Sequence, residues 1–239
     1  MIKPYSSDTG KKEQVAQMFD NIAHKYDFLN HFLSVGIDKS WRKKAIKEVG
    51  LNKPSKILDI ATGTGDLAFA AEKLNPKEIT GIDISNEMLA IARQKLEKRN
   101  SSVNFRFETG DSENIQYPNA SFDAAMVAFG VRNFENLDKG LSEICRVLTT
   151  GGKFVVLEFS QPHNFLFKKL YHFYFFKIVP FFGKLFSKDQ RAYKYLPESV
   201  SVFPDGEHFA MHMKNAGFEN IHFKPLTFGI ATLYAGTKA

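Results

Sequence analysis

Residues 57–70, "ILDIATGTGDLAFA", decide the fold class. A short apolar run leads to Asp59, a loop of small residues follows, and a helical pattern begins at Asp66. Gly63 and Gly65 allow the loop backbone to reach unusual dihedral angles and to approach a ligand closely. A strand, a glycine loop and a helix in this order predict the start of a nucleotide-binding βαβ unit.

The alternation of strands and helices continues along the chain. Five apolar runs have the length and composition of strands: 56–60, 78–84, 103–110, 122–130 and 152–160. Helical patterns between them indicate βαβ crossovers and a mostly parallel sheet. Two further strand-like runs, 220–228 and 230–237, are separated by Gly229 alone, so they can pair only in the antiparallel direction. The prediction is an α/β, Rossmann-like sheet of seven strands with a C-terminal hairpin, the arrangement of class I S-adenosylmethionine (SAM) methyltransferases.

Helical patterns lie outside the sheet region. The apolar residues of the first helix recur from Val15 to Tyr26 at helical spacing, and a second helix is predicted over 39–49. Ser85 is a predicted N-cap, and Gly217 is expected to end the last helix. We expect a single domain of 1–239 in four parts: an N-terminal helical cap (1–50), a SAM-binding core (51–160), an aromatic and basic helical insertion on the substrate side after the fifth strand (161–200), and a C-terminal helix and hairpin (201–239).

The composition limits the class of protein. The chain has 239 residues, of which 44% are hydrophobic and 24% charged, as in an ordinary globular protein. Its single cysteine, Cys145, lies in an apolar helical pattern; we expect it in the core, with no intramolecular disulfide and a reducing compartment. No run of 18 apolar residues and no signal peptide is visible, so we predict a cytoplasmic protein without a transmembrane helix.

Polar residues follow the first three predicted strands. Asp66 opens the helix where a pyrophosphate would sit, and its charge would repel a phosphate but not the zwitterionic, cationic SAM. Asp83 ends the second strand, where a carboxylate can accept hydrogen bonds from ribose hydroxyls. Asp111 and Ser112 follow the third strand, where an adenine can be recognised. These loops favour SAM over NAD, and no metal-ligand spacing is present.

One stretch is unusually rich in aromatic residues. Residues 165–186 contain eight Phe and two Tyr, and 163–195 carry seven basic and one acidic side chain. Lysines interrupt the stretch too often for a membrane span, and Pro180 and Gly183 divide it. It is either a core segment with lysines on one exposed face, or a face that meets an anionic membrane and a lipid substrate.

Several blocks carry a resemblance to a known family. They are "VAQMFDNIAHKYDFLNHFLSVGIDKSWRKKA", "ILDIATGTGDLA", "GIDISNEMLAIAR", "FDAAMVAFGVRN", "VVLEFSQP" and "GIATLYAGTK". Together they resemble the menaquinone/ubiquinone biosynthesis C-methyltransferase family over nearly the whole chain. The resemblance implies SAM as methyl donor and a membrane-borne polyprenyl quinol as methyl acceptor. It also implies peripheral contact with the inner face of the cell membrane.

The same resemblance assigns candidate site residues. It implies SAM contacts at Thr64, Asp83, Asp111 and Ser112, with Gly63 and Gly65 shaping the loop. Two positions depart from the family: Ala61 replaces the usual first glycine, and Ala128 stands where some members have serine.

Substrate-side residues are expected after the fourth strand and on the first helix. Arg132 stays protonated and suits stabilisation of a phenolate, while Asn133 can orient the ring or the cofactor. The alternative is that Arg132 makes a surface salt bridge and Asn133 caps the next helix. Tyr26 and Asp27 can cover the cofactor and contact the quinol. His24 and His163 are alternative proton acceptors.

The expected reaction is methylation of a ring carbon of demethylmenaquinol, yielding menaquinol. Methylation of 2-methoxy-6-polyprenyl-1,4-benzoquinol in ubiquinone biosynthesis is the alternative. An RNA methyltransferase would share the fold and suit the basic surface, but "AFGVRN" occupies the place where such enzymes carry a base-binding N/D-P-P-Y/F element. We therefore expect no nucleic-acid partner.

Overall fold

A computed structural model describes residues 2–34, 36–162, 165–178 and 189–239. Within them a single sheet holds seven strands: β1 (Lys56–Ile60), β2 (Glu78–Asp83), β3 (Asn104–Thr109), β4 (Phe122–Ala128), β5 (Leu148–Phe159), β6 (Phe218–Leu226) and β7 (Ala231–Lys238). Their order across the sheet is β3-β2-β1-β4-β5-β7-β6. The predicted seven-stranded α/β fold is confirmed.

Strand directions follow the connections. The four pairs formed by β1 to β5 are parallel, because helices separate these strands along the chain. Strand β7 pairs antiparallel with both β5 and β6 and lies between them. A 3₁₀ turn over Thr227–Gly229 joins β6 to β7, so the link is slightly longer than the single glycine predicted.

The helices surround the sheet. In the described residues they are α1 (Lys11–Leu33), α2 (Ile37–Val49), α3 (Asp66–Ala71), α4 (Asn86–Glu97), α5 (Leu137–Val147), α6 (Phe165–Phe173), α7 (Gln190–Val202) and α8 (Glu207–Asn215). A π-helical turn, Tyr174–Ile178, continues α6. The Ser85 hydroxyl accepts the Met88 N–H at 3.2 Å, which confirms the predicted N-cap of α4.

The core forms on both faces of the sheet because side chains alternate along each strand. Ile57 of β1 joins the cluster packed against α2, α3 and α4, whereas its neighbour Leu58 joins the cluster against α5 and α8. Cys145 is buried in the second cluster, as expected. A third, smaller cluster joins α1 to α7 above the carboxyl ends of the parallel strands.

Helix α7 lies mostly in the insertion after β5, where helical structure was predicted but no individual helix was delimited. Pro197 lies inside it, and an interior proline removes one helical hydrogen bond. Burial of Ala192, Tyr193 and Tyr195 against α1 offsets that loss. The second half of the aromatic stretch, with Pro180 and Gly183, lies outside the described residues. None of the helices in the described ranges is long and apolar enough to cross a membrane.

Candidate active site

The loops after β1 and β2 are joined by a carboxylate. One oxygen of Asp83, Oδ2, accepts the backbone N–H of Gly63 at 2.8 Å, and the other, Oδ1, accepts that of Ser85 at 2.8 Å. Burial raises the pKa of Asp83 to about 6, while the N–H groups of Ser85, Gly63 and Ile84 act in the opposite direction. Of the four acceptor positions of the carboxylate, these three N–H groups leave about one free. Asp83 therefore fixes the loop and can still accept a hydrogen bond from a ligand.

The glycine loop has the left-handed backbone that its sequence suggests. Gly63 and Gly65 have φ of 56° and 83°. Ala61 also has a positive φ, 52°, which accounts for glycine being usual at this position and makes alanine a mildly strained choice. Phe129, just after β4, has φ of 58°, an outlier for a bulky residue. Backbone strain thus concentrates where the strands end.

A small pocket lies between these loops and α1. Its volume is about 60 Å³. Its lining contains the following predicted site residues: Tyr26, Gly63, Asp83, Asp111, Ser112 and Asn133. Ala61 and Ala128, the two family departures, also line it. The structure brings together most of the residues predicted to bind a cofactor.

Helix α1 covers this pocket through its first turns. The Lys12 ammonium group pairs with Asp111 at 2.6 Å and with Glu113 at 3.5 Å. Lys11 donates to the carbonyl oxygen of Phe134 at 2.7 Å, and Ser85 donates to Asp20 at 2.6 Å. These contacts hold α1 against the loops and restrict the pocket to less than the ~300–1,000 Å³ typical of ligand sites.

Three residues from the sequence analysis, Thr64, Asp27 and Asp66, make polar contacts outside the small pocket. The Thr64 hydroxyl donates to Asp27 at 2.5 Å, and Asp27 pairs with Lys95 at 2.6 Å. Asp66 also pairs with Lys95, at 2.9 Å. Neither Thr64 nor Asp27 lines the small pocket or the larger cavity beside it. Gly65 is buried under Phe69 and Phe107, so it shapes the loop without lining the pocket.

A second, larger cavity of about 370 Å³ adjoins the small pocket. Phe19, Tyr26 and Phe129 line both spaces. The larger cavity is walled mainly by apolar and aromatic side chains of α1, α2, α6, α7 and the strand ends; they include Met18, Ile22, Trp41, Phe159, Phe167, Phe175 and Ile230. Tyr26, whose position in the helical pattern also suited the core, therefore lies at the boundary of two spaces.

A buried ion pair lies at the wall of the larger cavity. Arg132 lines the cavity, and its Nη1 donates to Glu158 Oε1 at 2.7 Å. Both side chains are almost fully buried, at 7% and 0% exposed. Burial raises the pKa of Glu158, and the Arg132 guanidinium opposes that rise. Arg132 is therefore not in a surface salt bridge, and the guanidinium is held in place inside an apolar site.

Two residues of the site were missed in the sequence analysis. Glu158, the partner of Arg132, stands in the apolar run "FVVLEFS", and an acid inside a buried strand was the available signal. Tyr195 lies in the predicted helical insertion but was not singled out. Asn133 was weighed as a helix cap, but the α5 cap is Asn136. His24 is exposed and lines neither space, and His163 lies outside the described residues.

The chain is similar to one protein family along almost its entire length. The profile of the ubiE/COQ5 methyltransferase family matches residues 7–238. A demethylmenaquinone methyltransferase of Bacteroides fragilis is 49% identical over 238 residues, covering 99% of this chain and 97% of the relative. A ubiquinone/menaquinone biosynthesis C-methyltransferase UbiE of Geotalea daltonii is 47% identical, covering 96% and 98%.

Solved structures share the fold. A SAM-dependent methyltransferase of Thermotoga maritima, described as a possible histamine N-methyltransferase, superposes with a TM-score of 0.65. It is 21% identical, and the match covers 94% of this chain and 99% of that one. At that identity the likeness concerns the fold alone.

Proposed function

The chain belongs to the ubiE/COQ5 methyltransferase family, and from that membership we propose that it methylates a ring carbon of demethylmenaquinol to form menaquinol. The methyl donor is S-adenosylmethionine. The observation that carries the proposal is the pair of adjoining spaces: a small pocket at the glycine loop, with the Asp83 and Asp111 carboxylates in its lining, and a larger apolar cavity. The two share Phe19, Tyr26 and Phe129. A polar cofactor and an apolar quinol can meet at that boundary.

The residues of the small pocket fit SAM. A side chain at Gly63 would meet nothing within 4 Å of its first carbon, so the backbone leaves room for a ligand. The remaining acceptor position of Asp83 suits a ribose hydroxyl, and Ser112 and Asp111 suit the adenine edge. The volume of about 60 Å³ requires α1 to move outward when SAM enters. Tyr26, on α1, would then close over the occupied pocket.

The larger cavity provides the means to activate the acceptor ring. When bound, SAM supplies an electrophilic methyl group on a sulfonium sulfur. The apolar walls exclude water and orient the quinol ring toward the cofactor pocket. Arg132 favours the quinol bound as its phenolate, the phenolic proton having been released to solvent on binding, and the ionised oxygen makes the neighbouring ring carbon nucleophilic. Glu158 keeps the guanidinium in position, and the buried Asn133 lies on the cofactor side.

The experiment that tests the function is a methyl-transfer assay with labelled SAM. Reduced demethylmenaquinone and 2-methoxy-6-polyprenyl-1,4-benzoquinol are offered side by side. We expect methylation of demethylmenaquinol; preference for the benzoquinol would support the ubiquinone alternative instead. If RNA offered in the same assay becomes methylated and neither quinol does, the proposal is contradicted.

We further propose the division of the single domain given above. Residues 1–50 act as a cap, because α1 lies across both spaces. Residues 51–160 hold the loops of the cofactor pocket, and 161–200 supply cavity-wall side chains from α6 and α7. Residues 201–239 extend the sheet.

SAM affinity should depend on pH through Asp83. Its raised pKa of about 6 means that the carboxylate gains a proton as the pH falls through 6, and a protonated acid offers the ribose fewer acceptor positions. We expect the Kd for SAM, measured by calorimetry, to be about tenfold higher at pH 5 than at pH 7. Asp83→Asn should bind weakly at both pH values; an equally strong pH dependence in that variant would contradict the role of Asp83.

The aromatic segment supports a proposed contact with an anionic membrane. Phe173 and Phe176 are exposed on the segment whose Phe167, Tyr171 and Phe175 line the apolar cavity. Lys169 and Lys177 are exposed on the same segment. A quinol with a long isoprenoid tail resides in the bilayer, so a surface that joins aromatic rings and lysines beside the cavity suits its entry.

Vesicle binding tests this contact. At low salt we expect the protein to bind vesicles containing phosphatidylglycerol, and Phe173→Ser/Phe176→Ser to weaken binding by about tenfold or more. Leu51→Ser is the control, because Leu51 is at least as exposed as either phenylalanine but precedes β1, at the opposite end of the parallel strands. Absence of binding by the unchanged protein, or equal loss in the control, would contradict the membrane contact.

A further inference from the structure

Three hydrogen-bond donors of the large cavity's wall are buried without a partner. They are the hydroxyls of Tyr171 and Tyr195 and the Nε–H of Arg132, none of which has a partner among the described residues. All three residues line the same cavity. Most buried polar groups in proteins are paired, so each exception calls for an explanation. Three unpaired donors on residues that line one cavity can serve a ligand that supplies acceptors, once the side chains turn toward it.

The same two charged side chains, Arg132 and Glu158, influence the pKa of both hydroxyls. Burial raises the pKa of Tyr195 to about 12 and that of Tyr171 further. Both tyrosines are therefore protonated at neutral pH and can act as donors. Tyr171 is 8% exposed and Tyr195 is 2% exposed, so bulk water does not compete for them.

Donors on the lining residues of a mainly apolar cavity favour a particular chemistry. The side chains that surround it are largely rings and aliphatic groups, which suit an aromatic nucleus. Uncharged donors beside a guanidinium favour an oxygen that carries or develops negative charge. A hydroquinone ring, with an oxygen that becomes a phenolate, has both properties.

We propose that Tyr171 and Tyr195, beside Arg132, donate hydrogen bonds to a ring oxygen of the quinol and hold it for methyl transfer. The proposal rests on the proposed function and adds two residues from α6 and α7 to the site. Because α6 also carries the exposed aromatic rings, substrate entry and ring recognition involve the same helix. Glu158 is a positioning residue that acts through Arg132.

Tyr171→Phe and Tyr195→Phe test the proposal, because each removes one oxygen and keeps the ring. With a demethylmenaquinol carrying one isoprene unit, we expect kcat/KM for the quinol to fall about tenfold in each variant, while the Kd for SAM stays unchanged. The melting temperature should stay the same or rise, since an unpaired buried hydroxyl is removed. Unchanged kcat/KM in both variants, or a melting temperature lowered by several degrees, would overturn the proposal.

Tyr234→Phe is the matched control. Its hydroxyl is buried but accepts the Gly206 N–H at 2.8 Å, and Tyr234 is not among the residues that line the cavity. We expect this variant to keep its kcat/KM and to melt at a lower temperature. A fall in its kcat/KM equal to that of the two cavity variants would overturn the proposal.

A binding measurement separates this proposal from the proposed function. Trp41 is the single tryptophan and lines the cavity, so its fluorescence reports a ligand there. If the unchanged enzyme methylates no quinol, the proposed function fails, and titration of 1,4-naphthohydroquinone against Trp41 emission still decides the inference. Binding about tenfold weaker in both Phe variants would support the hydroxyl contacts, and equal binding would overturn them.

Discussion

Arg132→Met should lower kcat for quinol methylation by about a hundredfold or more while leaving the Kd for SAM within about threefold. The guanidinium lines the quinol cavity and not the cofactor pocket, so its loss removes stabilisation of the ionised quinol without removing a SAM contact. Single-turnover assays with saturating quinol give the first number, and calorimetry gives the second. Equal loss of turnover and SAM affinity would refute a role in turnover.

The same substitution leaves Glu158 buried without its partner. Breaking a buried ion pair costs roughly 3–5 kcal/mol of folding free energy, so the single variant should be markedly less stable. Arg132→Met combined with Glu158→Gln removes both charges and should recover much of that stability, measured by urea unfolding. Turnover should stay low in the double variant. Recovery of turnover together with stability would show that Arg132 acts only in folding.

Gly63→Asn should weaken SAM binding by at least about a hundredfold, which corresponds to about 2.8 kcal/mol. Gly63 lines the cofactor pocket with φ of 56°, a conformation that asparagine tolerates better than other residues with a side chain. A carbon added there meets nothing within 4 Å, so the empty protein has space for the side chain. In the complex, that space is required by the cofactor.

Gly151→Asn provides a matched comparison for this variant. Gly151 has φ of 74°, and a carbon added to it also meets nothing within 4 Å. It is exposed near the start of β5 and lines neither the small pocket nor the larger cavity. Both variants should therefore lose similar stability, within about 1 kcal/mol of each other. Only Gly63→Asn should lose SAM affinity, measured by calorimetry. If both variants bind SAM as the unchanged protein does, Gly63 does not border the cofactor.

The sequence by itself determined the sheet and the cofactor loops. "KILDI" became β1 at the residues predicted, and Asp83 and Ser112 came to the same pocket as Gly63. Such features are local: an apolar run, a glycine turn and a helix pattern each depend on neighbouring residues. The carboxyl ends of parallel strands then meet at one edge, so the loops converge without further information.

The sequence was less informative where long-range packing decides. Helix α7 forms across Pro197 because its tyrosines are buried against α1, a contact between segments about 170 residues apart. Thr64 was expected to contact SAM, and Asp27 to cover the cofactor and contact the quinol, but their side chains form a hydrogen bond with each other. A local pattern shows which residues are polar and does not show which way each side chain turns.

Only the tertiary structure revealed the larger cavity and its donors. Arg132 was predicted from its motif, but its partner Glu158, 26 positions later, is on β5. Tyr171 and Tyr195 reach the same wall from α6 and α7. Spacing along the chain carries no signal for such a group, because burial, unpaired donors and a shared cavity arise only when distant segments pack together.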